Sequence, residues 1–265
     1  MILRTVLPLF LLTASLSPFA SAAPPEGYQW HAYAPMSDEF DSPKIDNSKW
    51  WKRNPRWEGR PPVFFHPDCV AVKDGHLRLS ALPSSESAKR NLPEKFTHIS
   101  GYLRSKAQAR FGYFEVRAKL MNAHLVSCFW MSHHARDEWS EIDCVEIPAG
   151  VPEHRHVFRP NTHYFYGPHY KGTLEKHLVN PKKIELSFDP TADFHTYGFF
   201  WDQNEIAWYV DDVEVRRIKN THFFQPLIMS INVEANSFFK ALPKDHELPG
   251  TYQIDWVRSW RLEPS

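Results

Sequence analysis

The sequence has few cysteines, no excess charge of either sign, and no apolar run of membrane-spanning length beyond its N-terminal region. Lys and Arg total 31, and Asp and Glu also total 31, so no basic surface large enough for nucleic acid is expected. A spanning helix needs about 20 apolar residues, which no later stretch provides. We therefore predict that neither nucleic acid nor a membrane is a partner.

Three cysteines are too few for a disulfide framework. They are Cys69, Cys128 and Cys144, so at least one of them has no partner within the chain. Cys128 and Cys144 could pair if they lie on adjacent strands, but burial as free thiols is the interpretation that we favour. The sequence also contains no amphipathic helical period of useful length and no internal repeat.

The first 22 residues resemble an export signal. Arg4 precedes an apolar run from Val6 to Leu12, and Ala20-Ser21-Ala22 is a small-x-small cleavage site. An uncleaved anchor is the alternative, but the apolar run is short and two prolines interrupt it. We predict a signal peptide over residues 1–22 and a secreted protein, either extracellular or periplasmic.

Most of the remaining sequence alternates short β-rich runs with turns. In "FGYFEVRAKL", Phe114 and Val116 alternate with Glu115 and Arg117, which predicts a half-buried strand. About a dozen such runs predict an all-β sandwich or barrel, which we expect to be one domain over residues 23–265. Long proline-rich segments between the runs are expected to shape a binding site.

The stretch "SEIDCVEIP" places three carboxylates inside a run that otherwise resembles a buried strand. Strict alternation would put Glu141 and Asp143 on one face and direct Glu146 into the core, where an unpaired carboxylate is costly. One extra residue at Cys144-Val145 would shift the alternation and return Glu146 to the face of the other two. The spacing therefore predicts a β-bulge in this strand.

Two glutamates on one face suit the hydrolysis of a glycosidic bond. With the bulge, the carboxyl groups of Glu141 and Glu146 can approach to roughly 5 to 6 Å, as in retaining glycosidases. Asp143 between them can hydrogen-bond one glutamate and separate the two pKa values, so that one is ionised near neutral pH. An acidic solvent-facing strand is the alternative, but Trp139 and an aromatic content of 15% favour a carbohydrate site.

These residues resemble a known family. "EIDCVE" is similar to the E-x-D-x-x-E strand of glycoside hydrolase family 16, in the branch with the bulge, and "SGYLRSKAQARFGYFEVRAKL", "SCFWMS" and "GTYQIDWVRSW" look like its flanking strands. The resemblance implies a β-jelly-roll sandwich of two antiparallel sheets with a concave substrate cleft. It also implies retaining endo-hydrolysis of a β-linked polysaccharide without a required cofactor. Glu141 would be the nucleophile, Asp143 its electrostatic partner and Glu146 the general acid/base.

The flanking segments narrow the expected substrate. The glycine-tryptophan-proline approach of laminarin-cleaving members is missing, whereas "WEGRPPVFF", "SCFWMS" and "INVEAN" look like members that act on red-algal galactans. We predict cleavage of β-1,4 linkages in agarose or porphyran, with κ-carrageenan next. A laminarin-type β-glucan hydrolase and a non-catalytic carbohydrate-binding jelly roll are the alternatives, and the sequence does not separate hydrolysis from transglycosylation.

Aromatic and charged residues near the motif are candidates for substrate binding. Trp57 is expected to stack on a sugar, and Arg60 to bind a hydroxyl or a sulfate, unless they are a loop anchor and a solvated charge. The parity of Trp139 with Glu141 predicts that Trp139 lies on the cleft face.

Three further candidates come from later strands. His163 is expected to reach a sugar or the acid/base, with a structural role as the alternative. Asn232 and Glu234 alternate onto one face and are expected to hold sugar hydroxyls, unless Glu234 pairs with a lysine or arginine.

Fifteen histidines raise the question of a metal enzyme. The pairs His133-His134 and His154-x-His156 have no third ligand at a recognisable spacing, so we do not expect catalytic zinc. The family resemblance suggests a structural calcium ion on the convex side, with Asp255 as a candidate ligand. We expect the protein to act as a monomer.

Overall fold

The computed structural model describes residues 27–167 and 176–263, so the predicted export signal lies outside the described residues. Within those ranges, no helix has the length and apolar content needed to cross a membrane. The described elements are β1 Gln29–Ala32, β2 Trp50–Trp51, β3 Val63–Phe65, β4 Val70–Lys73, β5 His76–Leu82, α1 Ser84–Ser87, β6 His98–Ser100, β7 Tyr102–Ser105, β8 Gly112–Lys119, β9 Val126–His134, β10 Glu138–Ile147, β11 Val157–Phe158, β12 Asn161–Tyr166, β13 His177–Val179, β14 Ile184–Glu185, β15 His195–Trp201, β16 Glu205–Val210, β17 Val213–Lys219, β18 Ile228–Glu234 and β19 Gly250–Glu263.

Two large sheets form the fold. The seven-stranded sheet has the order β13-β12-β10-β9-β18-β7-β2, and the ten-stranded sheet has the order β17-β16-β15-β8-β19-β5-β6-β3, with β1 beside β19 and β4 beside β5. Strands β11 and β14 form a separate pair. The predicted all-β sandwich of two mainly antiparallel sheets is confirmed. The predicted strand number was too low because two- and three-residue strands such as β2 and β13 are too short to show alternation.

The main core lies between the sheets and includes aromatic side chains from both of them. Phe199 of β15 is fully buried, 5.4 Å by ring centroid from Phe114 in its own sheet and 6.1 Å from Phe129 in the opposite sheet. On β8, Tyr113 and Glu115 point away from this core, yet both are buried because a second aromatic cluster covers the outer face. The prediction that this strand is half-buried, with one side facing solvent, is therefore partly wrong.

All three cysteines are buried free thiols, as predicted. Cys144 packs in the core between the sheets, whereas Cys128 belongs to the apolar cluster on the opposite face of the seven-stranded sheet. The two side chains point to different faces of adjacent strands, and this is why they do not pair.

Candidate active site

The predicted bulge is present in β10. The pairing of β10 with β9 shifts between Asp143 and Val145, which makes Cys144 the extra residue. Cys144 and Val145 are both fully buried in the core, whereas Glu141, Asp143 and Glu146 line one cleft. The extra residue is therefore what returns the third carboxylate to the face of the first two.

A tryptophan of the opposite sheet supports the backbone at this bulge. The indole Nε1 of Trp208, on β16, donates a hydrogen bond of 2.8 Å to the carbonyl oxygen of Asp143. Trp208 is fully buried, and the Arg216 guanidinium lies 4.9 Å from its ring centroid. A bulge interrupts the strand ladder locally, so a buried carbonyl beside it needs a partner from elsewhere. The core thus fixes the strand that holds the candidate catalytic residues.

The cleft lies on the concave face of the seven-stranded sheet and has a volume of about 1210 Å³. Its lining combines acidic, basic and aromatic side chains. The lining residues are Asn54, Arg56, Trp57, Gly59, Arg60, Pro61, Arg104, Cys128, Trp130, Ser132, His134, Ala135, Arg136, Trp139, Glu141, Asp143, Glu146, Phe165, Ser230 and Glu234.

The three carboxyl groups bind protons more tightly than free side chains. Burial, followed by repulsion from Asp143, raises the pKa of Glu141 well above its usual range. Burial also raises the pKa of Asp143 to about 7 and that of Glu146 to about 8. A hydrogen bond between Glu141 and Asp143 partly offsets the effect at Asp143. As the nucleophile, Glu141 was expected to be ionised near neutral pH; its raised pKa differs from that expectation because the carboxyl group is buried and, in addition, lies beside other carboxyl groups.

His163 contacts the central carboxylate. Its Nε2 lies 3.3 Å from Oδ2 of Asp143 and 2.8 Å from Nδ2 of Asn161, while its Nδ1 lies 2.8 Å from Nε2 of His177. Ligand atoms of Glu141, Asp143 and His163 lie within 4.8 Å of one another, so these residues could also hold a divalent cation. The observed contact of His163 is with Asp143, and its predicted role toward a sugar or the acid/base stays a prediction.

Arg60, Glu234 and Trp57 lie together along the cleft, where Arg60 pairs with Glu234. Nε of Arg60 lies 3.2 Å from Oε1 of Glu234, which confirms the alternative that Glu234 pairs with an arginine. About half of the Arg60 side chain, 51%, is nevertheless exposed, and its guanidinium lies 5.9 Å from the Trp57 ring centroid. The edges of neighbouring aromatic rings hold the half-buried Trp57 in place.

The prediction that Asn232 holds a sugar hydroxyl gains no support from the structure. Asn232 is fully buried, its Oδ1 accepts a hydrogen bond of 2.7 Å from the indole of Trp130, and its Nδ2 donates one of 3.1 Å to Glu234. The alternation placed Asn232 on the correct face, but both of its polar atoms are occupied by cleft-lining neighbours. Asn232 therefore positions Trp130 and Glu234.

Trp139 lies on the cleft face as predicted, but its ring is enclosed. The ring of His134, on the neighbouring strand β9, stacks on Trp139 with a centroid distance of 4.4 Å. The ring of Phe165, on β12 at the other side of β10, stacks on Trp139 with a centroid distance of 5.0 Å. The two faces of the indole are therefore covered, and Trp139 presents an edge to the cleft instead of a platform for a sugar.

Sequence reasoning did not identify three arginines of the cleft, Arg56, Arg104 and Arg136. Arg104 is almost fully buried, and burial lowers its pKa. The spacing of two residues between Tyr102 and Arg104 in "GYLRSK" indicates that both point to the same face of the strand. This spacing could have placed Arg104 in the cleft, because Tyr102 lies in the apolar cluster beneath the cleft.

Among the residues that the structure describes, no cluster of potential metal ligands includes Asp255. It lies on β19, where Oδ2 is 2.5 Å from Nη1 of Arg117 and Oδ1 is 3.6 Å from Nε2 of His76. A guanidinium at this distance neutralises the carboxylate and competes with a cation. The calcium site proposed for Asp255 gains no support from this arrangement.

Comparison with known proteins identifies the family. The model of the β-porphyranase A–D GH16 domain matches residues 30–262. The chain belongs to glycoside hydrolase family 16. A β-porphyranase E from Zobellia galactanivorans is 32% identical, with 91% of each chain covered. A β-porphyranase B from Phocaeicola plebeius is 30% identical, covering 91% of this chain and 87% of its own.

A solved structure of this GH16 family is also similar. The crystal structure of a β-porphyranase from the human gut bacterium Bacteroides plebeius superposes with a TM-score of 0.79 at 28% identity, covering 91% of this chain and 95% of its own. The predicted jelly-roll fold and the predicted GH16 family are confirmed.

The hydrogen bond from Trp208 to the bulge leads to a first prediction. Trp208→Phe should lower the free energy of unfolding by about 1–3 kcal/mol, because a buried carbonyl loses its partner. It should also lower the hydrolysis rate, because the carboxylates beside that carbonyl lose their support. Trp201→Phe is the matched control, since Trp201 is equally buried and donates a bond of 2.8 Å to Phe223, in a segment outside the cleft. Urea unfolding and rate measurements on both variants should show similar stability losses and a rate loss in Trp208→Phe alone; equal rate losses would contradict the role.

The raised pKa of Glu146 predicts a stability effect that depends on pH. In the folded state Glu146 keeps its proton up to a pKa of about 8, whereas a free glutamate loses it near 4.5. Unfolding therefore releases a proton within this window, and stability falls as the pH rises through it. Glu146→Gln removes this loss, so the melting temperature of the variant relative to the unmodified protein should rise with pH. A difference independent of pH, measured by calorimetry below and above the window, would refute the assigned pKa.

Proposed function

We propose that the protein is a secreted, retaining endo-hydrolase that cleaves β-1,4 linkages in a sulfated red-algal galactan, with porphyran as the leading substrate. The observation behind the proposal is a single cleft that contains both the carboxylate triplet and four arginines. The β-porphyranase relatives support the same substrate class. Secretion rests on the predicted export signal.

In the proposed reaction, the two glutamates act on opposite sides of one bond. The carboxylate of Glu141 attacks the anomeric carbon while Glu146 donates its proton to the departing glycosidic oxygen, giving a covalent galactosyl-enzyme. Water then attacks the same carbon, Glu146 accepts its proton, and Glu141 is released. The raised pKa of Glu146 suits this role because its carboxyl group is protonated at neutral pH.

Asp143 has a supporting role in this proposal. Its hydrogen bond to Glu141 lets the two carboxyl groups share one proton. When the proton lies on Asp143, Glu141 is ionised and nucleophilic while the repulsion between the two is relieved. The charge of His163 lowers the pKa of Glu141 and of Glu146, which offers a second way to balance the charge of the triplet.

The basic residues of the cleft favour a sulfated polymer over neutral agarose. Among the described residues, Arg56, Arg104 and Arg136 form no ion pair with a carboxylate, so their charge is available to an anionic ligand. Arginine binds sulfate and phosphate groups through paired hydrogen bonds. Arg60 beside Trp57 adds a cation next to an aromatic ring, an arrangement suited to a sulfated sugar.

The direct test measures reducing-end release from porphyran, desulfated porphyran, agarose, κ-carrageenan and laminarin. We expect the highest rate on porphyran, a loss of several orders of magnitude in Glu141→Gln, and little change in Glu138→Gln, which alters a carboxylate of the same strand outside the cleft. Equal rates on native and desulfated porphyran would overturn the sulfate preference. Activity on laminarin alone would overturn the galactan assignment, and binding without release of reducing ends would favour the carbohydrate-binding alternative.

A further inference from the structure

An exposed tryptophan stands at the edge of the cleft sheet, outside the site described above. Trp51 lies on β2, the terminal strand of the seven-stranded sheet, and is 39% exposed. It lines a separate depression of about 310 Å³ together with Lys52, Arg53 and Lys106, and none of the described residues that line the depression is a carboxylate. A single exposed aromatic residue is ordinary on a protein surface, so the argument depends on where it stands and what surrounds it.

The strand register connects Trp51 to the catalytic carboxylates. Trp51 is opposite Arg104, Arg104 is opposite Ser230, Ser230 is opposite Trp130, and Trp130 is opposite Asp143. Directly opposed residues of neighbouring strands point to the same face, so this row runs across the concave face. Four strand spacings separate its ends, a distance of roughly 19 Å. Trp51 therefore lies in line with the cleft, several sugar units from the reacting bond.

The cations around Trp51 complement an anionic sugar. The guanidinium of Arg104 and the ammonium of Lys106 each lie 5.8 Å from the indole ring centroid. Lys106 follows Arg104 by two residues, which places it on the same face, and Lys52 and Arg53 flank the ring along the chain. An aromatic surface beside several cations offers a hydrophobic contact to a sugar ring and charge to its sulfate group.

We propose that Trp51, with Lys52, Arg53 and Lys106, forms an outer subsite that binds a sulfated galactan chain beyond the catalytic centre. This subsite rests on the proposed function, since it extends the same cleft to a longer stretch of substrate. Its contribution is to the affinity for long chains, because a short oligosaccharide at the carboxylates does not reach β2.

The test compares sulfated galactan oligosaccharides of increasing length. For Trp51→Ala, the ratio of kcat/KM on long to short oligosaccharides should fall roughly three- to tenfold relative to the unmodified enzyme, and Trp51→Tyr should recover most of it. Tyr28→Ala is the matched control, because Tyr28 has a similar exposure of 37% and packs on Phe200, at the outer face of the other sheet. In the Glu141→Gln background, the Kd for the long oligosaccharide should rise by the same factor in Trp51→Ala.

The outcomes separate the two proposals. If the unmodified enzyme cleaves no galactan, the proposed function fails. If it cleaves galactan but Trp51→Ala has the same length dependence as Tyr28→Ala, the outer subsite is wrong. A double substitution, Lys52→Ala with Arg53→Ala, keeps the test valid should Trp51→Ala not fold. It should reduce the length dependence on sulfated oligosaccharides more than on desulfated ones, and an equal reduction on both would refute binding of sulfate there.

Discussion

One inserted residue in β10 determines where the candidate catalytic groups point. In a strand of strict alternation, side chains change faces at every residue. If Glu141 and Asp143 faced the cleft, Glu146 would therefore point into the core and the apolar Val145 would point into the cleft. The insertion at Cys144 resolves this conflict by keeping Cys144 and Val145 in the core and Glu146 in the cleft. The hydrogen bond from Trp208 shows that the opposite sheet takes part in holding this irregular backbone.

Placing three carboxyl groups on one face has an electrostatic cost. This cost is seen in the pKa values of the carboxyl groups and in the charged residues around them. The raised pKa values of Asp143 and Glu146 show that their ionisation is unfavourable in this cleft. Cationic or ionisable neighbours reduce that cost, since Arg60 lowers the pKa of Glu234 and His163 lowers the pKa of Glu141 and Glu146. A site whose protons are held this tightly is suited to acid/base chemistry.

The sequence contained enough information to predict the bulge and the face of each carboxylate, since alternation and the cost of burying a charge leave few arrangements. It contained less information about how deeply each side chain is buried and which side chains surround it. Asn232 was on the correct face but lies beneath Trp130, and alternation does not report which side chain covers another. The enclosure of Trp139 depends on which strands pair with β10, and that register is set by long-range contacts. The position of Arg104 in the cleft likewise depends on a long-range pairing, that of β7 with β18, and the local signal that placed Arg104 on the face of Tyr102 went unnoticed.

The most direct test of the central claim is the anomeric configuration of the product formed with azide. Glu141→Ala and Glu146→Ala would each be given azide and an activated galactan oligosaccharide, and the galactosyl azide would be examined by NMR. The account predicts the α-azide from Glu141→Ala, because azide takes the place of the nucleophile, and the β-azide from Glu146→Ala, because azide then attacks the covalent intermediate. The reverse assignment, or the same anomer from both variants, would contradict the roles given to the two glutamates.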